Sequence, residues 1–281
     1  FAYSCVTDTT EDLGVKLGGQ TEITLSLEES RTQLGEKVGD LYPLQWSEGD
    51  QISINGNASE PLGANYNGAS IATFSVSGTL LPPFGITYPA APANQVVFAE
   101  KQTHTGNATF GSGVSTMYAY STDGSTGEIK HLTGVLKFGV TGSATLVKAQ
   151  ISTIDRKPIA GAFAFDFEKG VATATEASKS LIEYSFGEGV QLSDEPTYIH
   201  AVVPTGEYDE LYVTLYDEDG GVMYATVKTD ETKPLVAGKI REFSNNIAYA
   251  ANEQVFVVKD VASLKAFAEQ TATLEKDVLF V

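Results

Sequence analysis

The sequence predicts an all-β protein built from β-sandwiches. The main observation is the alternation of apolar and polar residues in short segments, which places one face of a strand on a core and the other toward solvent. The second observation is turn chemistry at short intervals, as at Asn55-Gly56, Asp123-Gly124 and Asp219-Gly220-Gly221. The third is composition: 27 glycines and a single convincing helical stretch disfavour an α/β enzyme fold.

The alternating segments are spread along most of the chain. Many short strands separated by frequent turns are typical of sandwiches rather than of βαβ units. In chain order, the residues predicted to face a core are Ile23, Leu25 and Leu27; Ile52 and Ile54; Ala72, Phe74 and Val76; Leu136, Phe138 and Val140; Val147, Ala149 and Ile151; Phe163, Phe165 and Phe167; Ile182, Tyr184 and Phe186; and Leu211, Val213 and Leu215.

Changes of composition divide the chain into four parts. Residues 1–20 predict a flexible N-terminal tether. A polar, glycine-rich stretch between about residues 121 and 134 separates a first β-sandwich domain, residues 21–128, from a second, residues 129–250. Within the first half, residues 80–95 are rich in proline and predict a long loop on the surface or at a sheet edge, because proline cannot donate a hydrogen bond to a sheet.

The fourth part, residues 251–281, predicts a strand–helix–strand extension. Asp260 is suited to cap the helix. The apolar residues that fall on one helical face are Val261, Leu264, Phe267 and Ala268. The segment "QVFVVKD" precedes the helix and "DVLFV" follows it, so we expect that a further module begins here.

Charge argues against nucleic acid as a partner, and hydropathy argues against a membrane-spanning protein. Lys+Arg number 18 against 36 Asp+Glu, and the resulting net charge of −18 repels nucleic acid. No apolar run approaches the ~20 residues that span a bilayer, so an integral membrane protein is not expected. With 1 cysteine, Cys5, an intramolecular disulfide is impossible.

Cys5 is a candidate lipid-anchor residue. It follows the small residue Ser4, as the acylated cysteine of a bacterial lipoprotein does, and a Thr/Asp/Glu run after it suits a tether. A charged and an apolar signal-peptide region are absent, so the chain would begin inside such a peptide. The alternative is an incidental cysteine in a disordered end. A lipid anchor is the only membrane contact that the sequence suggests.

A search for catalytic or metal-binding motifs finds none. His104, His131 and His200 are more than 25 residues apart and match no HExxH pattern, and neither a GxSxG elbow nor a phosphate loop occurs. His200 is interpreted as a strand residue. We therefore predict no catalytic residue, no metal and no cofactor. A hydrolase with two facing carboxylates is a further alternative, since their separation is a tertiary property.

Two other groups of residues allow two interpretations each. The acidic run Asp217-Glu218-Asp219 could bind calcium weakly, but it lacks the EF-hand spacing, and a solvated hairpin tip is favoured. Tyr212, Tyr216 and Tyr224 could stack on sugars, but they are also ordinary cross-strand pairing residues, which is the favoured interpretation.

Five segments in sequence order resemble the fimbrillin-like proteins of the Bacteroidales. They are "RTQLGEKVGDLYPLQWSEGDQISING", "HLTGVLKFGV", "ISTIDRKPIAGAFAFDF", "HAVVPTGEYDELYVTLYDEDGGVMYATVKT" and "PLVAGKIREF", and the similarity covers about residues 20–250. The resemblance implies two tandem transthyretin-like Greek-key β-sandwich domains. It also implies that Trp46 plugs a core at a corner whose turn is made by Gly49 and Asp50.

The resemblance further implies a function. The family includes pilus stalk, anchor and tip subunits and related surface lipoproteins. We therefore expect a non-enzymatic protein of a fimbrium or of the outer membrane, acting in adhesion or as a tip or accessory pilus subunit. The extension after residue 250 departs from a simple stalk subunit.

Family pilins are cut after an arginine, which Arg31 matches here, just behind a strand predicted at 22–28. Loss of that strand would open a groove that a strand of another subunit fills. An uncleaved Arg31 in an ordinary loop is the alternative.

A second functional class is a lipid-anchored glycan-binding protein of an outer-membrane uptake system. The expected partners are other pilus subunits or surface proteins at strand edges, and a host or glycan ligand.

Overall fold

The computed structural model describes residues 19–27, 45–107, 110–111, 113–124, 126–229, 233–251 and 260–271. Within them the fold is nearly all β, as predicted, and no described helix is long and apolar enough to cross a membrane. The strands are β1 (Gln20–Leu27), β2 (Ser53–Ile54), β3 (Asn57–Ala58), β4 (Ile71–Ser77), β5 (Phe84–Tyr88), β6 (Gln95–Phe98), β7 (Lys101–Thr103), β8 (Met117–Ser121), β9 (Thr126–His131), β10 (Thr133–Thr141), β11 (Thr145–Thr153), β12 (Ala160–Asp166), β13 (Val171–Lys179), β14 (Leu181–Gln191), β15 (Thr197–Pro204), β16 (Gly206–Glu207), β17 (Glu210–Asp217), β18 (Val222–Lys228), β19 (Pro234–Leu235), β20 (Ile240–Glu242) and β21 (Ile247–Ala248), and the helix is α1 (Val261–Thr271).

The first sheet has the strand order β3-β2-β5-β8-β9-β1-β4. Side chains from β4, at one end of this order, and from β5, near the other end, pack into the same core, so the sheet folds over on itself. This first core contains Ile23, Leu25, Leu27, Trp46, Ile52, Ile54, Leu62, Ala72, Phe74, Val76, Phe84, Ile86, Tyr88, Met117, Ala119 and Ile129.

A second core lies between two further sheets. One has the order β15-β10-β20, with β21 also paired to β10, and the other has the order β18-β17-β11-β14-β7. Each predicted alternating segment from Leu136 onward, apart from that of β12, contributes to this second core. In one segment, the register is shifted. A β-bulge between Leu146 and Lys148 turns Leu146 into this core, where the sequence pattern placed Val147. Bulges insert a residue and so move the alternation by one position.

The chain between β5 and β8 crosses from the first group of strands to the second. Here β6 pairs with β12, in the sheet β13-β12-β6, and β7 pairs in parallel with β14. Strand β12 contributes only its first residue, Ala160, to the second core, whereas Phe163 and Phe165 pack with β6 in a small core of their own. The ring of Tyr118, on β8, lies 5.0 Å from that of Phe165.

Two predictions about the first half are affected by this topology. The segment 80–95 is not a loop on the surface or at a sheet edge, because β5 lies inside it, pairs with β2 and β8, and is buried along its whole length. Of its four prolines, Pro83 and Pro89 directly flank the strand, and none lies inside it. The predicted boundary at 128/129 falls inside β9.

The C-terminal helix is present as α1, at the predicted place. Phe267 is buried, whereas Val261 is 70% and Leu264 47% exposed, so the predicted apolar face is only partly covered. The two strands predicted to flank the helix fall mostly or wholly outside the described residues, as does most of the tether 1–20.

We expect that a fragment of residues 129–250 does not fold cooperatively, because β6 and β7 complete its sheets. Adding a peptide of residues 95–107 should restore a cooperative thermal transition, monitored by circular dichroism. A scrambled peptide of the same composition is the control. Cooperative unfolding of the fragment by itself would contradict this expectation.

Candidate functional site

Strand β1 is an interior strand of the first sheet, although it is the first described element of the chain. Its alternating sequence turns Ile23, Leu25 and Leu27 into the first core, where they are 1%, 0% and 9% exposed. Glu22 and Thr24 alternate with them on the outer face. Burying three such side chains contributes about 5–9 kcal/mol as an upper estimate.

Backbone pairing fixes β1 on both sides. It runs antiparallel to β4 from Gln20↔Ser77 to Ser26↔Ile71, and parallel to β9 from Thr24↔Thr126 to Leu27↔Ile129. On the β4 side, the Thr21 hydroxyl donates to the Gly78 carbonyl at 2.7 Å and accepts from the Leu80 amide at 2.8 Å.

The two neighbours of β1 have no hydrogen bonds to each other, so β1 fills a groove one strand wide. Strands lie about 4.8 Å apart, and β4 and β9 are therefore about 10 Å from each other. Buried side chains on both sides, including Phe74 on β4 and Ile129 on β9, contribute to the core below the groove. Sequence reasoning missed β9 because its segment "TGEIKH" is polar; only the spacing of Gly127 and Ile129 suggests a strand.

Trp46 supports the β4 side of this groove. It is 1% exposed, and its ring meets those of Phe74 and Tyr88 edge-on at 5.0 and 5.4 Å. Phe74 is the β4 partner of Ile23 in β1. The prediction that Trp46 is a core plug is therefore confirmed.

The carboxylate of Asp50 stabilises the tight turn after Trp46. Asp50 accepts hydrogen bonds from the Ser47 amide and from the Tyr88 hydroxyl, each at 2.8 Å, and Gly49 supplies the positive φ of +87° that the turn requires. Burial and the Asp50 charge raise the pKa of Tyr88, which keeps the hydroxyl a donor.

The two residues predicted from sequence to be processed or modified, Cys5 and Arg31, lie outside the described residues. Arg31 follows shortly after the end of β1 at Leu27. Cleavage after Arg31 would separate β1 from the remainder of the chain, because β1 ends at Leu27, before this arginine.

The three histidines lie in or beside the sheets. His200 on β15 is 2% exposed and His131 on β9 is 4% exposed, so His200 is a strand residue, as predicted. Nδ1 of His131 lies 3.0 Å from the Ser115 hydroxyl oxygen. Burial lowers the pKa of His131 to about 4. The pKa of His200 is also lowered to about 4, mainly by burial and further by the charges of Lys137 and His104, while Glu242 raises it slightly.

Of the acidic run, Asp217 is the last residue of β17 and is buried, whereas Glu218 and Asp219 are exposed at the hairpin tip, as the favoured interpretation expected. The Asp217 carboxylate accepts from the Gly221 amide and from the Tyr249 hydroxyl, so it is used inside the fold. Within the described ranges, no group of three or more His, Cys, Asp or Glu side chains could hold a metal ion.

The three tyrosines of β17 and β18 share the outer face of the five-stranded sheet and are all half-buried. The rings of Tyr212 and Tyr224 are 6.4 Å apart and nearly parallel, at 24°. The Tyr216 hydroxyl donates to Gln150. This geometry favours cross-strand pairing.

No protein-family model and no curated protein matches the chain. The solved structures that are similar to it include bacterial adhesion and fimbrial proteins, the kind of protein that the sequence resemblance indicates.

One is a protein assigned to cell adhesion from Bacteroides ovatus, with 10% identity, a TM-score of 0.47, and coverage of 85% of this chain and 98% of the other. A second such protein, from Bacteroides uniformis, has 15% identity, a TM-score of 0.43 and coverage of 83% and 94%. The tip fimbrial protein Mfa3 from Porphyromonas gingivalis, with a C-terminal truncation, has 8% identity, a TM-score of 0.31 and coverage of 77% and 84%. These identities and scores are low, and the function of this chain is therefore argued from its own residues.

We expect the free energy of unfolding to decrease as the pH falls from about 6.5 to about 4. In the unfolded chain, His131 and His200 take up protons at the ordinary pKa of histidine. In the folded protein they do so only near a pKa of about 4. The loss for His131 is about 3 kcal/mol. Urea unfolding of wild type and His131→Gln, compared at about pH 7 and about pH 4.5, measures it. The variant should lose less stability on acidification.

Ser115→Ala is the control for this experiment, because it removes the contact to His131 without removing a titrating group. It should keep the pH dependence of wild type. Equal pH dependence in wild type and His131→Gln would show that His131 does not cause the acid sensitivity.

Proposed function

We propose that this chain is a fimbrillin-like protein of the bacterial surface that acts in adhesion or as a tip or accessory pilus subunit. It is non-enzymatic, and it joins other subunits by β-strand exchange. The observation that carries the proposal is the position of β1, an N-terminal strand held in the interior of a sheet by two neighbours that do not pair with each other. The five-segment resemblance over about residues 20–250 supports it.

The strand pairing also supports two tandem domains of transthyretin-like Greek-key topology. Strand β1 pairs antiparallel with β4 and parallel with β9. In the same way β10 pairs antiparallel with β15 and parallel with β20 and β21. The first strand of each group therefore has one antiparallel and one parallel neighbour, which is the relation that a tandem repeat of one topology produces.

In the proposed mechanism, cleavage after Arg31 frees β1 from the rest of the chain. Its departure exposes the unpaired backbone groups of β4 and β9 and the apolar core below them, a combination that binds an extended strand by β-augmentation. The incoming strand needs apolar residues at alternate positions to replace Ile23, Leu25 and Leu27. Before cleavage, an acylated Cys5 tethers the protein to the outer membrane.

Cleavage by an arginine-specific protease should convert the monomer into a ladder of oligomers on mildly denaturing gels. The chain has three arginines, and exposed Arg156 in the turn after β11 is a second target. The experiment therefore uses an Arg156→Lys background. A peptide of residues 19–27 should refill the groove and suppress the ladder, whereas the same peptide carrying Leu25→Asp should not, because it would bury a charge.

Arg31→Lys in the same background is the matched control and should stay monomeric after protease treatment. The result against strand exchange is cleavage at Arg31 and loss of the N-terminal peptide without any higher species.

The native N-terminus tests the anchor and the processing site together. Mass spectrometry of protein from the cell surface should find chains that begin at an acylated Cys5, and chains that begin at Thr32 after processing. An unmodified Cys5, or a mature chain that starts before it, would exclude the anchor. The absence of chains starting at Thr32 from assembled material would exclude processing at Arg31.

A further inference from the structure

Strand β15 forms one edge of the four-stranded sheet. It pairs with β10 from Thr197 to Pro204, and no other described strand pairs with it. On an edge strand, the N–H and C=O groups of every second residue point away from the sheet. Such a row is a template for an added strand, unless something covers it.

The side-chain amide of Gln102 covers this edge at Val202. Gln102 lies on β7, in the opposite sheet, and is 3% exposed. Its Nε2 donates to the Val202 carbonyl at 2.7 Å, and its Oε1 accepts from the Val202 amide at 2.9 Å. A primary amide thus makes both of the hydrogen bonds that a neighbouring strand would make.

Asn107 repeats this contact further along the same edge. Its Oδ1 accepts from the Tyr198 amide at 2.9 Å, and its Nδ2 donates to the Pro196 carbonyl at 3.3 Å. Tyr198 and Val202 are an even number of residues apart, so their amides point to the same side of β15. Between the two contacts, the His104 amide donates to the Ser185 carbonyl of β14, which holds the segment against the other sheet.

We propose that residues 101–107 are an edge guard, which closes the side of the sandwich between β14 and β15 and prevents an extended strand of a second copy of this chain from adding to β15. The guard goes beyond the proposed function and does not depend on strand exchange at β1. The guard pairs outward backbone groups of β15 with side-chain amides. Because no described strand occupies this edge, there is no strand that another subunit could replace.

The test follows amide hydrogen exchange at Val202 and Tyr198 together with the oligomeric state. Gln102→Ala should raise the exchange rate at Val202 about tenfold, as expected for the loss of one backbone hydrogen bond, and should give a concentration-dependent dimer in light scattering. Gln191→Ala is the matched control, because it removes an equivalent amide that donates to the Ser143 and Leu192 carbonyls elsewhere. It should leave Val202 exchange and the monomer unchanged.

A second substitution identifies the surface of the dimer. Val202→Pro removes the N–H that points outward from the edge, and proline is tolerated at that side of an edge strand. The double variant Gln102→Ala/Val202→Pro should therefore be monomeric. A dimer that persists in it, or unchanged Val202 exchange in Gln102→Ala, overturns the proposal.

Asn107→Ala decides the question where Gln102→Ala does not fold, because the Asn107 side chain is exposed. Faster exchange at the Tyr198 amide supports the guard. Exchange at the wild-type rate overturns it.

Discussion

The pairing of β1 with both β4 and β9 is the interaction that keeps the first sheet in one piece. Among the described strands of this sheet, β4 is connected to the others only through its pairing with β1. Strand β1 also contributes Ile23, Leu25 and Leu27 to the first core. Backbone groups left without partners in a buried groove cost about 1–3 kcal/mol each. The place of β1 must therefore be filled, but the backbone hydrogen bonds do not specify which chain fills it.

The two groups of strands satisfy their backbone edges in different ways. In the first, an entire strand, β1, lies between two others, and in the proposed mechanism a strand with the same alternation replaces it. In the second, outward backbone groups of β15 are hydrogen-bonded to the side-chain amides of Gln102 and Asn107. These amides belong to the same chain, so no partner is needed to supply them. Under the proposed mechanisms, this difference would direct strand addition to the groove of β1 and away from β15.

Sequence patterns predicted those strands in which apolar and polar residues alternate clearly, and the burial of one face explains the alternation in each of them. A segment such as 211–215 alternates because one side meets a core and the other meets water. Strand β5 was missed because it is buried along its whole length, so it does not alternate, and because prolines flank it. The burial of Trp46 was expected from the family resemblance, not from the residue pattern around it. Gln102 has no signal in the sequence, because its partner Val202 lies 100 residues away and is a backbone group.

The crossing of the chain between β5 and β8 has a consequence for the proposed assembly. Because this segment supplies β6 to β12 and β7 to β14, the first and second groups of strands share backbone hydrogen bonds as well as the linker between them. The contact between Tyr118 and Phe165 adds packing across the same junction. Two domains joined by one linker would bend freely, whereas two joined by shared sheets move together. A subunit that takes part in strand exchange at β1 would therefore enter a fibre as one stiff unit, and flexibility along the fibre would arise at the exchanged strand.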